Sequence, residues 1–366
     1  MRIAVLIVPL LVVPAVLAAP PVSRVRAVSV PRTAVTGADW KAIVSVQPPA
    51  RGTLEARGGG VLRAPLTATK TKGRYAATLR FPRAGAWAIS AKVGKRTTSL
   101  GSVAADIPRD PLLQNPFTIA AEPSGSLVVG QQPSGSLVRI VKGRAAAIAP
   151  GLPVFHVAVA GGTIYAAAQD GAVYRVEGSS LIRVTPPLDA SAVAVDAAGN
   201  LYVAIYVGFV KKITPDGAVT TIVGDGTEGY SGDGGPATAA KILHPHAVAI
   251  GRDGALYVAD TENRRIRRID LQTGMITTFG GNVGITVSLA VGPDGSIYSA
   301  DVVRDGVAGG VTRTTPTGVT TRVVSSPLVN GVAVAQDGTV YVNEWEAKRI
   351  LRLNSTTGRL EPVARG

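Results

Sequence analysis

Residues 224–270 read GDGTEGYSGDGGPATAAKILHPHAVAIGRDGALYVADTENRRIRRID. From Pro245 onward the stretch has a plain grammar. An apolar segment is followed by the turn Asp253-Gly254. A second apolar segment, Leu256-Tyr257-Val258-Ala259, closes on Asp260. A polar loop with Glu262 and Asn263 leads to the basic-apolar run Arg264-Arg265-Ile266-Arg267-Arg268. Apolar runs of four to six residues separated by Asp-Gly turns are the signature of short antiparallel strands. The first half, residues 224–241, is rich in glycine and interrupts this grammar.

The same unit recurs along the chain. Its second strand can be aligned at Leu127-Val128-Val129, Ile164-Tyr165-Ala166, Leu201-Tyr202-Val203, Leu256-Tyr257-Val258, Ile297-Tyr298-Ser299 and Val340-Tyr341-Val342. The steps between these anchors are 37, 37, 55, 41 and 43 residues, and removing the 18 residues 224–241 reduces the long step to 37. A period of this length with about four strands in each copy predicts propeller blades. Each sheet alone would expose two apolar faces, so the copies must stack and close into a ring. Strand a carries Val-Ala-Val wording, as in Val193-Ala194-Val195 and Val332-Ala333-Val334, where small alanines suit the crowded axis.

This wording resembles the NHL repeat of six-bladed β-propellers, and the glycine-rich lead-in is similar to that of many secreted bacterial members. The resemblance covers about 245 residues. Copies three, four and six match well, whereas copies one, two and five lack the full Asp…Asn-x-Arg loop. The expected fold class is all-β: a small immunoglobulin-like β-sandwich over residues 22–107, then a six-bladed NHL-type propeller over 111–366.

Residues 1–19 read as a signal peptide, with Arg2 before a short apolar run that ends on Val16-Leu17-Ala18. The expectation is a secreted or cell-envelope protein. With no cysteine in the chain, stability must come from burial and sheet pairing, and thiolate chemistry is excluded. The net charge of +14 is uneven. Residues 20–110 hold 16 Lys/Arg against 4 Asp/Glu, and residues 111–366 hold 21 against 20. The first domain is therefore expected either to meet an anionic envelope surface or to carry its charge on solvated faces. Nucleic acid is not an expected partner, because the cations are not interleaved with stacking aromatics. Residues 73–89, GRYAATLRFPRAGAWAI, look like a late hairpin of immunoglobulin-like envelope modules, with Tyr75, Leu79, Trp87 and Ile89 in the core. Residues 104–116, with three prolines, are expected to form a stiff linker.

In a propeller the start of strand a, the end of strand b and each d-to-a connection share one face. Two residues before the Val-Ala-Val wording the copies offer Phe117, Phe155, Ser191, His246, Val287 and Asn330; at the end of strand b they offer Gln131, Ala168, Ile205, Asp260, Asp301 and Glu344. The candidate ligand-binding residues at this channel mouth are His246, Asp260, Asp301, Asn330 and Glu344. The three carboxylates could hold Ca²⁺, receive a basic ligand, form an acid/base pair, or cap their own loops. Peptide-amidating lyases share the propeller type, and the resemblance implies several histidines on zinc, of which only His246 matches. The resemblance to gluconolactonase-type propellers implies a Glu/Asn/Asp set on a divalent cation, with Asn330 and Glu344 as the nearest counterparts. In the insertion, Asp225, Glu228 and Asp233 either bind Ca²⁺ or belong to a loop held by its own turns, with Tyr230 or Leu243 packed on a blade edge. No serine-hydrolase elbow, phosphate loop or dinucleotide fingerprint occurs. The functional expectation is a non-catalytic scaffold binding protein or glycan ligands; the alternative is a metal-dependent hydrolase or lactonase acting in the channel.

Overall fold

The computed structural model describes residues 24–365 apart from 30, 36–38, 48–50, 58–60, 71, 73, 82–84, 94, 107–109, 133–134, 150, 152, 281–282, 305 and 307. The leader read in residues 1–19 lies outside the described residues. The chain divides after Asp106 into two compact units.

The first unit is two sheets around one core. Four strands lie in the order Arg24–Ser29, Asp39–Gln47, Arg74–Arg80, Thr67–Ala68; five lie in the order Thr33–Val35, Arg96–Asp106, Gly85–Val93, Gly52–Arg57, Val61–Pro65. Thr33–Val35 runs parallel to Ala104–Asp106, and the other pairings are antiparallel. Val44, Val46, Leu54, Leu79, Phe81, Trp87 and Ile89 are buried in the core, with Tyr75 at its edge. Phe81 and Trp87 meet at 5.3 Å between ring centres. The hairpin expected over residues 73–89 is not one. Arg74–Arg80 pairs with Asp39–Gln47, whereas Gly85–Val93 belongs to the other sheet. Both strands bury alternate residues, and that pattern says which face is inside but not which sheet a strand joins.

The second unit is six four-stranded antiparallel sheets, each continuous in sequence and ordered a-b-c-d. Their first strands are Pro116–Ala121, Val154–Ala160, Ala190–Val195, Pro245–Ile250, Ile285–Val291 and Val329–Val334. These strands together line a central channel of about 240 Å³. The core is split into six apolar wedges, one at each junction between neighbouring blades. The wedge between blades six and one joins Ile350 and Ala364 to Ile119, Val129 and Ile140, so the wheel is closed. Ring closure needs no exchanged strand, because blade one and blade six are each built from contiguous sequence.

Hydrogen bonds complete the seam. Asn343, fully buried, donates from Nδ2 to the carbonyls of Pro116 at 2.8 Å and Phe117 at 3.2 Å. Asn330 Nδ2 donates to the Phe117 carbonyl at 2.8 Å. Asp110 accepts from the Ala145 N–H in the outer strand of blade one, and its own N–H donates to the Arg365 carbonyl in the outer strand of blade six. The linker expected over 104–116 is accordingly shorter. Residues 104–106 pair within the first unit, and Leu113 is buried in the seam of the wheel. Replacing Asn343 by leucine is expected to lower stability by about 1–3 kcal/mol, since it leaves a buried carbonyl without its donor. A urea midpoint equal to that of the parent chain would refute this role.

Candidate functional site

Every first strand carries a β-bulge at the same place. Its register breaks between Pro116 and Thr118, Val154 and His156, Ala190 and Ala192, Pro245 and Ala247, Thr286 and Ser288, and Val329 and Gly331. A bulge inserts one residue that pairs with nothing across the ladder, and it turns that side chain away from the regular alternation. The residues so released are Phe117, Phe155, Ser191, His246, Val287 and Asn330. All six line one cavity of about 580 Å³. The residue after each bulge returns to the ladder and is buried, and at Gly331 a Cβ would run into the Asn343 amide.

The bulges also lock neighbouring blades. Ser191 Oγ donates to the Pro245 carbonyl at 2.6 Å, and Thr261 Oγ1 to the Thr286 carbonyl at 2.8 Å. Thr118 and Ser288 accept from the N–H groups of Val157 and Val332 on the next blade. The cavity wall is thus fixed by the same interactions that hold the ring.

The rim is aromatic. Phe117 meets Phe155 at 6.4 Å and Trp345 at 5.8 Å between ring centres, both edge to face. Tyr206 stacks on His244 at 4.3 Å and meets His246 edge-on at 5.3 Å. Phe155, Tyr206, Val207 and Trp345 are each more than a third exposed, a degree of apolar exposure that marks a binding surface when it is contiguous. Gln169 and Asp189 also line the cavity, and their side chains make no hydrogen bond among the described residues. The His246 ring is half-buried, and desolvation holds its pKa below the usual imidazole value, opposed by the charge of Glu262. The cavity therefore combines aromatic faces with an amide, a carboxylate and a largely neutral imidazole.

Of the five candidate residues, His246 and Asn330 line this cavity and the three carboxylates do not. Asp260 is fully buried. It accepts from the Leu243 N–H at 2.7 Å, from Asn263 Nδ2 at 2.8 Å and from Arg267 Nη1 at 3.3 Å. Asp301, also fully buried, accepts from the hydroxyls of Thr286 at 2.8 Å and Thr312 at 2.9 Å, with Arg322 at 3.7 Å. Glu344 accepts from Ser326 Oγ and from Arg349 Nε. Gln131, at the equivalent end of strand b in blade one, likewise ties Leu112, Gln114 and Ser136 together. Burial raises the pKa of Asp260 and Asp301 against these hydrogen bonds. This position is a knot between the incoming loop, strand b and strand c. Among the described residues, no three of His, Asp and Glu gather as a metal ion would require.

The insertion is held in the same manner. Arg267, fully buried, reaches Asp233 Oδ1 and the Ser231 carbonyl, each at 2.9 Å, as well as Asp260. Tyr230 lies against the guanidinium groups of Arg265 and Arg267, 4.9 Å from each, and its hydroxyl donates to Asp233. Asp225 caps Thr227, and Glu228 lies beside His244. Of the acids that flank the basic run, Asp260 pairs with Arg267, Glu262 pairs with Arg304, and Asp270 caps its own turn. Ala237, Ala240 and Ile242 fill the wedge between blades three and four, making the insertion a plug for that junction.

Six radiating sheets around a channel with one aromatic cavity define a six-bladed β-propeller, and its repeats are of the NHL type. Residues 225–287 match the model of the teneurin NHL domain. Teneurin-1 of Mus musculus and of Homo sapiens are each 36% identical to the chain over 94 residues, which is 22% of this chain and 3% of those proteins. Among solved structures, a streptogramin B lyase is similar over 68% of this chain and 82% of its own, with a TM-score of 0.50 and 18% identity. A structural-genomics protein of unknown function from Bacteroides thetaiotaomicron is similar over 90% of this chain and 97% of its own, with a TM-score of 0.52 and 14% identity. These likenesses establish the fold.

Proposed function

We propose that the chain is an exported, envelope-associated binding protein without catalytic activity, which takes protein or glycan ligands at the cavity of its propeller. The observation that carries this reading is the ring of six bulges, which aims six side chains of five residue types into one aromatic-rimmed space. The carboxylates that a metal-dependent hydrolase or lactonase would use, Asp260, Asp301 and Glu344, are instead tied into their own blades. A rigid concave surface with aromatic faces and a few polar groups suits recognition of a ligand that also has apolar faces and hydroxyls or amides.

The first unit is proposed to be an immunoglobulin-like module that holds the protein at an anionic surface of the envelope. Its strand order supports this. One sheet of four strands and one of five, with a short early strand running parallel to the last, is in keeping with an immunoglobulin-like reading.

The test is binding of the intact chain to purified envelope glycans and exported proteins, alongside Phe155→Ala and Tyr206→Ala. Each substitution is expected to weaken a ligand of the cavity by roughly tenfold, as truncation of a central aromatic does. Val319→Ala, exposed on a turn of blade five, should leave binding unchanged. Substrate turnover, or stoichiometric Ca, Mg or Zn in the purified protein, would overturn the reading in favour of a metal-dependent hydrolase.

A further inference from the structure

The five-stranded sheet of the first unit has an outer face lined by cations. Leu54, Ala56, Ile89 and Ala91 point into the core, so Thr53, Glu55 and Arg57 on one strand and Ser90 and Lys92 on its neighbour point out. Together with Arg51, Arg63 and Thr97 they line a groove of about 610 Å³. Four cations and one carboxylate share it.

The carboxylate organises the groove. Glu55 is only 13% exposed, beneath Arg57 and Arg63, which are 66% and 62% exposed. It accepts from Nε of Arg57 and, at 2.7 Å, from Nε of Arg63. Both arginines are thereby fixed through Nε, and their terminal Nη groups make no hydrogen bond among the described residues. An arginine pre-oriented in this way keeps its paired outer donors for a phosphate or carboxylate. The floor between the cations is made of Thr53, Ser90 and Thr97, which leaves room for a chain to lie across the strands.

The spacing points to a polymer rather than a single ion. Arg63 and Lys92 stand on strands two places apart, roughly 10 Å, and residues 53 and 57 are roughly 13 Å apart along their strand. One phosphate cannot reach all of these groups, but successive phosphates of a linear chain can. The face also lacks what a bilayer would need. Val61 is the single exposed large hydrophobic residue among the residues of this unit whose burial is described.

We infer that this groove binds a linear, phosphate-bearing polyanion, with Arg57, Arg63 and Lys92 as its principal ligand-binding cations and Glu55 as the positioning residue for the two arginines. The inference rests on the reading of the first unit as an attachment module, and it names the surface and the chemistry.

The probe is long-chain inorganic polyphosphate, titrated against the intact protein over a series of salt concentrations. The triple variant Arg57→Gln/Arg63→Gln/Lys92→Gln is compared with Arg26→Gln/Lys41→Gln, which removes exposed cations from the other sheet. The groove variant is expected to bind at least roughly tenfold more weakly, with the slope of log affinity against log salt reduced by about one for each cation removed from the phosphate chain. The control variant should stay close to the parent. Glu55→Gln should weaken binding although it makes the face more positive, an outcome that net charge alone would reverse. Equal losses of affinity in the groove and control variants would overturn the groove and leave a diffuse basic module. Polyphosphate binding that none of these substitutions alters would overturn the groove and the attachment role together. Retention on phosphatidylglycerol vesicles without binding to polyphosphate would overturn the polymer in favour of a membrane surface.

Discussion

Replacing Arg267 by methionine is expected to lower the stability of the propeller by about 3–5 kcal/mol, the usual effect of breaking a buried ion pair from one side. Methionine fills much of the same volume, so the loss is electrostatic rather than a matter of packing. Asp260 would stay fully buried and lose its cation, although its carboxylate already has its pKa raised by burial. Asp233 and the Ser231 carbonyl would lose the guanidinium that draws them to blade four. The damage should therefore begin in the insertion. Hydrogen exchange over residues 231–241 is expected to rise before that of the blade strands, and proteolysis should nick this segment first. Arg267→Met combined with Asp260→Asn should recover part of the loss, because the second change removes the orphaned charge. An unaltered urea midpoint in Arg267→Met would show that the insertion holds itself in place without this lock.

The second large effect is expected on acidification. His156 follows the bulge of blade two and is buried in the channel wall among Val, Ala, Ile and Leu side chains. Its Nδ1 has no partner, and burial lowers its pKa from 6.5 to about 4, opposed by a hydrogen bond to the Val193 backbone. Above pH 6.5 the ring is neutral in the folded and unfolded chains alike, so it has no influence on stability. Between pH 6.5 and about 4 the unfolded chain takes up a proton that the folded chain refuses. Stability should fall across that window by roughly 3 kcal/mol in total and level off below it. His156→Gln keeps a donor for the backbone but cannot titrate. Its stability should decline less between pH 7 and pH 4, and the difference between the two curves should follow a single proton. The carboxylates titrate in both proteins and drop out of that comparison. Parallel curves would mean that the ring charges without penalty.

The wheel is legible in the sequence because its blades obey two strong constraints at once. Apolar alternation and Asp-Gly turns recur at a fixed period, and turns such as Asp294-Gly295 survive even where the b–c loop has degenerated. The cavity is only half legible. Counting back from the Val-Ala-Val wording reaches Phe117, Phe155, Ser191, His246, Val287 and Asn330, but nothing in those six residue types announces a bulge. A bulge is an event of the backbone, and residues of any chemistry can occupy it. Gln169, Asp189 and Tyr206 escape a reading of the sequence because they lie in loops without a repeating frame. The carboxylates Asp260, Asp301 and Glu344 are recognisable as strand ends, yet the sequence does not say whether such a residue faces the axis or the interior of its own blade. Gln131, Ala168 and Ile205 carry the available clue. An uncharged residue in the same frame suits a structural knot better than a cation site.

The seam at Asp110 and Arg365 means that the path of the wheel begins and finishes at one point on its circumference. No sheet borrows a strand from the opposite end of the sequence, so the numbering of the blades is arbitrary as far as their geometry is concerned. Joining those two residues through a short peptide and cutting the chain in a connection between two other blades would leave each sheet entire. The wheel is in this sense open to circular permutation, and the place where a neighbouring module is attached could be moved around its edge without redesigning the cavity.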